Sequence, residues 1–202
     1  MLTRLAVLVS GGGTNLQAII DAQKSGIIKS GKVSVVIASN SDAYALERAK
    51  NNSIPGVVVA RKGKTQQEFE QGIIDILNDY NIDIIVLAGF MCILSENFTK
   101  RYPEKIINVH PSLIPSFCGK GFYGLHVHEA ALNYGVKVTG ATVHFVNEIP
   151  DGGKIIAQKA VDVADGDTPE VLQKRVMEQA EWIILPRAVE KVSSDIRKSK
   201  EV

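Results

Sequence analysis

Leu5-Ala6-Val7-Leu8-Val9-Ser10-Gly11-Gly12-Gly13-Thr14-Asn15 is the stretch that decides the fold. Five consecutive apolar residues describe a strand buried on both faces, and the glycines after it mark a tight turn. A helical pattern then runs from about 14 to 25. The same step recurs downstream. Val33 to Ala38, Gly56 to Ala60, Ile82 to Ala88 and Lys105 to Val109 are further short apolar runs, with helical patterns between them at about 43 to 52, 65 to 80 and 95 to 102. Continuous apolar strands alternating with helices argue for an α/β fold, a Rossmann-like and mostly parallel sheet with helices on both faces.

Past His110 the pattern changes to two long polar-apolar strands, Lys137 to Val146 and Lys154 to Val163, joined through Asn147 to Gly153. They read as an antiparallel hairpin added to the sheet. Thr168-Pro169-Glu170 is a helix start, with Thr as N-cap and Pro in the first turn, and the helix is expected to run to about Val192. A polar, frayed tail is expected at 193–202. No internal repeat or linker interrupts the chain, so one domain spanning 1–202 is expected.

Composition narrows the function. With 202 residues, 45% hydrophobic, the chain can bury a sizeable core. A net charge of +1 provides no broad basic field for nucleic acid. No apolar run approaches the roughly 20 residues that span a bilayer, and Met1-Leu2-Thr3-Arg4 leads into a strand rather than a signal peptide. Cys92 and Cys118 stand in unlike contexts and suggest no disulfide. A cytoplasmic protein, without membrane or nucleic-acid partners, is the expectation.

Ser10 to Asn15 places free backbone N–H groups at a helix N-terminus, which suits an anion as well as a plain βα turn. Leu16 stands where a dinucleotide fingerprint would have its third glycine, and the Gly-Lys-Ser/Thr of a P-loop is missing. A monophosphate therefore fits better than a dinucleotide or triphosphate. In Asn108-Val109-His110-Pro111-Ser112-Leu113-Ile114-Pro115, residues i and i+2 of an extended segment point the same way. Asn108 and His110 can thus converge on a developing oxyanion, as acyl transfer to an amine requires; a histidine that merely caps a strand end would use the same residues. Asp151, in Pro150-Asp151-Gly152-Gly153, is an ordinary turn residue unless the turn folds back over the strand ends. In that case its carboxylate would raise the His110 pKa.

These features, with Leu87-Ala88-Gly89-Phe90-Met91 ending an apolar run, resemble the glycinamide ribonucleotide formyltransferases among the folate-dependent formyltransferases, from about Leu5 to Val189. The resemblance implies formyl transfer from 10-formyltetrahydrofolate to glycinamide ribonucleotide in purine biosynthesis, with no metal, by a monomer or homodimer. It assigns catalysis to Asn108, His110 and Asp151. The nucleotide substrate falls to Gly13, Thr14, Asn15, Pro111, Glu178 and Glu181. The folate falls to Met91, Cys92, Ile93, Leu94, Asn108, Asn147, Glu148 and Asp151. Cys92 replaces an Arg found in several relatives, and Trp182 stands where the family has His after the Glu. The spacing from Arg175 to this segment is one residue longer than usual.

Three further features complete the reading. Ser116 to Leu125, with Gly119, Gly121 and Gly124, is a long loop suited to act as a lid, or simply a floppy connection. His144 is expected to support the site rather than react. His126 and His128, two apart at a helix start, should diverge and make a poor metal pair.

Overall fold

A computed structural model describes residues 1–200. β1 (Thr3–Val9) passes through the glycine turn into α1 (Thr14–Lys24), and the step repeats through β2 (Gly31–Ala38), α2 (Ala45–Asn51), β3 (Gly56–Val58), α3 (Gln66–Asp79), β4 (Ile84–Leu87), α4 (Glu96–Arg101) and β5 (Ile106–His110). α5 (Leu125–Tyr134) leads to the hairpin of β6 (Val138–Phe145) and β7 (Ile155–Asp162). α6 (Pro169–Val176), a π-turn (Met177–Glu181) and α7 (Trp182–Ser199) follow.

Among the described residues the strands form one seven-stranded sheet in the order β3-β2-β1-β4-β5-β6-β7. The first five are parallel and the last two antiparallel, as the sequence suggests. Strand order reverses between β1 and β4, and ligands of open α/β sheets bind at the carboxyl side of such a switch point. Alternate β1 residues feed two cores: Leu5, Val7 and Val9 pack with α1 and α7 residues, while Ala6 and Leu8 meet Phe69, Ile73 and Phe98. Burial on both faces explains why the strands read as unbroken apolar runs.

Local chemistry sets the helix starts. Thr65 Oγ1 accepts the Glu68 N–H while the Glu68 carboxylate accepts the Thr65 N–H, a reciprocal cap that fixes α3. Thr168 caps α6 with Pro169 in its first turn. The expected continuous helix from 168 is instead broken by the π-turn. A π-turn holds more residues per turn, which is how a helix takes in an extra residue. α7 then continues to Ser199, so the expected frayed tail is corrected over 193–199. Ser193 is fully buried and its carbonyl accepts the Thr3 hydroxyl at 2.9 Å, while Lys200 Nζ meets Asp83 Oδ1 at 2.5 Å. Glu201 and Val202 of that expected tail lie outside the described residues. Among the described residues no helix is long and apolar enough to cross a membrane.

Candidate functional site

Antiparallel register creates the centre of the site. β5 and β6 pair Asn108 with His144 and His110 with Thr142, so residues far apart in sequence share one face. Asn108 Nδ2 lies 3.2 Å from His144 Nε2, and His144 Nδ1 donates to the Phe145 carbonyl at 2.8 Å. A carbonyl only accepts, so Nδ1 carries the hydrogen and Nε2 can accept one amide hydrogen of Asn108. The second amide hydrogen remains for another acceptor. Thr142 Oγ1 donates to the Ser112 carbonyl and accepts the Ile114 N–H, holding the segment that leaves β5.

The 147–153 turn does fold back. Asp151 Oδ2 stands 3.5 Å from His110 Nδ1, and Oδ1 stands 3.5 Å from His144 Nε2. Asp151 adopts a φ of 56°, in the left-handed region that Asp tolerates better than most residues. Gly153 must be glycine, because a Cβ there would sit 1.7 Å from the Phe145 carbonyl oxygen. The loop after β5 closes over this group: His110 Nε2 donates to the Phe117 carbonyl at 2.8 Å, and Asp151 Oδ2 accepts the Gly119 N–H at 2.8 Å. Its backbone therefore occupies hydrogen-bonding positions of both side chains.

The upward push expected from Asp151 on His110 is present but outweighed. Burial is the largest influence on His110 and lowers its pKa; Asp151 and the Phe117 carbonyl push upward, His144 pushes down, and the balance stays below the ordinary imidazole value. A side chain only 4% exposed loses more by desolvation than one carboxylate at 3.5 Å returns. For Asp151 burial pushes upward, but a hydrogen bond from His144 when Nε2 carries a proton, the charge of His110 and the Gly119 N–H together hold the carboxyl below its ordinary value.

The glycine turn between β1 and α1 has an open geometry. Gly13 has a φ of 72° and a Cβ on it would lie 2.7 Å from Ala45 Cβ, whereas Gly11 and Gly12 face open space. No side chain caps α1, which leaves its first N–H groups available. Asn15 Nδ2 donates to Glu181 Oε2 at 2.7 Å, joining two candidate substrate residues that are far apart in the chain. Glu181 ends the π-turn, and its burial pushes the carboxyl upward, with the Asn15 hydrogen bond pulling back less. Asn15 Oδ1 is buried without a protein partner. Glu178, by contrast, is exposed and faces Lys174 at 3.9 Å. Pro111 follows directly on β5.

After β4, Met91 and Ile93 are exposed while Cys92 and Leu94 pack partly against the second core. Burial raises the Cys92 thiol, opposed by a hydrogen bond to Ser39 and by Arg61. Asn147 Oδ1 accepts the Ile149 N–H, and Asn147 and exposed Glu148 line a cavity of about 350 Å³.

His126 and His128 diverge. His126 is exposed and pairs with Glu129 at 3.0 Å, whereas His128 is fully buried with neither ring nitrogen partnered. Burial first, and the nearness of His110 second, push the His128 pKa down to about 4. An unfolded histidine binds its proton near 6.5, so between these values the unfolded state holds more protons and stability falls as pH falls. The full window amounts to about 3 kcal/mol, of which about 2 is lost by pH 5. In urea unfolding at pH 7 and pH 5, His128→Leu is expected to shrink the pH-dependent loss by about that amount. An unchanged loss in the variant would remove His128 as its source.

Sequence reasoning missed the two backbone groups of the loop, Phe117 C=O and Gly119 N–H, and left His144 without a partner. The register across β5 and β6 supplies the latter, and no periodicity encodes it.

A scan against protein families matches residues 3–189 to the family described as formyl transferase. Over 189 residues the chain is 43% identical to the phosphoribosylglycinamide formyltransferase of Haemophilus influenzae, covering 93% of this chain and 86% of that one. It is 39% identical over 181 residues to the chloroplastic phosphoribosylglycinamide formyltransferase of Arabidopsis thaliana, covering 87% of this chain but only 61% of the plant protein's length. Among solved structures, glycinamide ribonucleotide transformylase 1 from Symbiobacterium toebii superposes with a TM-score of 0.89 at 39% identity, covering 96% of this chain and 89% of that one.

Proposed function

Because the chain belongs to the formyl transferase family, among the phosphoribosylglycinamide formyltransferases, we propose that it transfers the formyl group of 10-formyltetrahydrofolate to the primary amine of glycinamide ribonucleotide, a step of purine biosynthesis. The observation that carries this reading is the convergence of Asn108, His110 and Asp151, with His144 between them, at the carboxyl edge of the parallel strands where β1 also leads into an uncapped helix N-terminus.

The amine attacks the formyl carbon, a C–N bond forms, and the carbonyl oxygen becomes an oxyanion. Asn108 offers it the amide hydrogen not used by His144. His110 offers Nε2–H, since Nδ1 faces Asp151; that hydrogen is bound to the Phe117 carbonyl at rest, so the 116–125 loop must release it. Burial keeps His110 a weak base until negative charge develops beside it, and the oxyanion then raises its pKa. Asp151 holds the imidazole ring and receives the amine proton, through water, on its way to N10 of the leaving folate. Collapse breaks the C–N10 bond, leaving tetrahydrofolate, with the proton on N10, and the substrate's amine converted to a formamide.

On the substrate side, the α1 N-terminus with Gly13 and Thr14 holds the phosphate, while Asn15 and Glu181 hold the ribose. The loop Met91–Leu94 with Asn147 and Glu148 holds the pterin. Comparing acceptors tests the assignment: kcat/KM is expected to be at least about 10²-fold higher for glycinamide ribonucleotide than for its dephosphorylated riboside, since a phosphate site adds charge-assisted hydrogen bonds. Equal use of both, or preference for methionyl-tRNA or an amino sugar, would contradict it.

A further inference from the structure

Ser10 stands at the carboxyl end of β1, the strand beside the switch point, and every polar group it has is engaged. Its N–H donates to the Gly89 carbonyl beyond β4 at 3.0 Å, and its carbonyl accepts Asn40 Nδ2 beyond β2 at 2.9 Å. Its hydroxyl accepts the Met91 N–H at 2.9 Å and pairs with the Ser39 hydroxyl at 2.8 Å. Ser39 in turn touches the Cys92 thiol, and its carbonyl accepts the Arg61 N–H at 3.0 Å. One residue before the open glycines of the phosphate turn therefore holds the first N–H of the loop assigned to the pterin.

The far end of that loop is tied elsewhere. Gln66 Nε2 donates to the Ile93 carbonyl at 2.9 Å, and the buried Glu70 carboxylate accepts Ser95 N–H at 2.5 Å, Ser95 Oγ–H at 2.6 Å and Gln66 Nε2–H at 2.7 Å. These anchors belong to α3 and do not reach the phosphate turn. The near end joins the two loops, and beside the backbone bond from Ser10 N–H to Gly89 its hold on Met91 N–H is a side-chain oxygen that can be removed without touching the backbone.

We propose that Ser10 is a positioning residue that couples the two substrate sites, so that a phosphorylated acceptor seated on the glycine turn orders the Met91 end of the pterin loop and strengthens folate binding. The inference rests on the substrate assignment made under Proposed function. An anion fixing Gly11 to Gly13 restrains Ser10, Ser10 restrains Met91 N–H, and the second ligand meets a loop whose ordering cost is already met. By linkage the folate strengthens acceptor binding by the same factor.

The test is calorimetric titration of tetrahydrofolate, which carries no formyl group to transfer, with and without saturating glycinamide ribonucleotide. In the wild type the nucleotide is expected to tighten tetrahydrofolate about tenfold, the scale of one well-placed hydrogen bond. Ser10→Ala is expected to bring that ratio close to one, and Ser10→Thr, which keeps a hydroxyl, to restore most of it; a general loss of structure would not be rescued in this way. Ser39→Ala, which leaves the Met91 acceptor in place, is expected to lower the ratio partly, and carries the test if Ser10→Ala does not fold. A wild-type ratio of one, or an undiminished ratio in both alanine variants, would overturn the coupling. Formyl transfer by the same wild-type sample, assayed separately, distinguishes loss of the coupling alone from loss of the substrate assignment.

Discussion

Asp151→Asn is expected to lower kcat by about 10²- to 10⁴-fold while changing substrate affinity by no more than a few fold. The range is that of a positioned acid-base group, or of a carboxylate that orients a catalytic histidine. The substitution preserves size and the Gly119 N–H acceptor, but replaces the charge that faces both His110 Nδ1 and His144 Nε2 at 3.5 Å. Without that carboxylate only the Phe117 carbonyl still opposes burial, so the His110 pKa falls further and the imidazole becomes a still weaker base. The amine proton also loses its receiver. Steady-state kinetics with both substrates varied would read the split between kcat and KM; near-normal kcat would remove Asp151 from the chemistry.

Asn108→Ala is expected to cost about 10²- to 10³-fold in kcat, the usual loss for one preorganised oxyanion donor. A second consequence follows from the hydrogen-bond pattern. His144 Nε2 accepts from Asn108 at 3.2 Å in a buried setting, so the alanine variant leaves it without that donor. Stability should fall as well, by about 1–3 kcal/mol for an unpartnered buried polar atom. Asn108→Asp keeps the volume but not the donor, and is expected to lose comparable turnover. If kcat of Asn108→Ala stayed within a few fold of wild type under saturating substrates, the oxyanion would have to be held by other groups.

The parallel layers were legible because burial on both faces keeps most positions of β1, β2, β4 and β5 apolar, leaving runs that punctuation by glycine and helical spacing cannot disguise. The hairpin was legible by the opposite sign, since β7 leaves most of its length partly or fully exposed. The break near Glu181 was not, because a single π-turn inside a longer helix displaces the apolar pattern by only one residue. Ser193 to Ser199 look like a tail in composition; their order comes from docking on Thr3 and Asp83, contacts that no local pattern announces.

The candidate site divides along the same line. Asn108 and His110 share a face by strand geometry alone, and the glycine turn declares its own shape through Gly13. The His110 pKa could not be read from residue types, because a neighbouring carboxylate raises it and burial lowers it, and only the fold says which is larger. Ser10 and His144 stand in ordinary strand-end surroundings in the sequence. They become informative once β1 is known to lie between β2 and β4, and β6 beside β5.

The most direct test of the central claim is formyl transfer from 10-formyltetrahydrofolate to glycinamide ribonucleotide, followed by absorbance, with wild type and His110→Ala in parallel. The account predicts turnover in the wild type and a loss of about 10²-fold or more in the variant. Wild-type protein that binds folate yet transfers nothing to this amine, or a variant that turns over as fast as wild type, would contradict it.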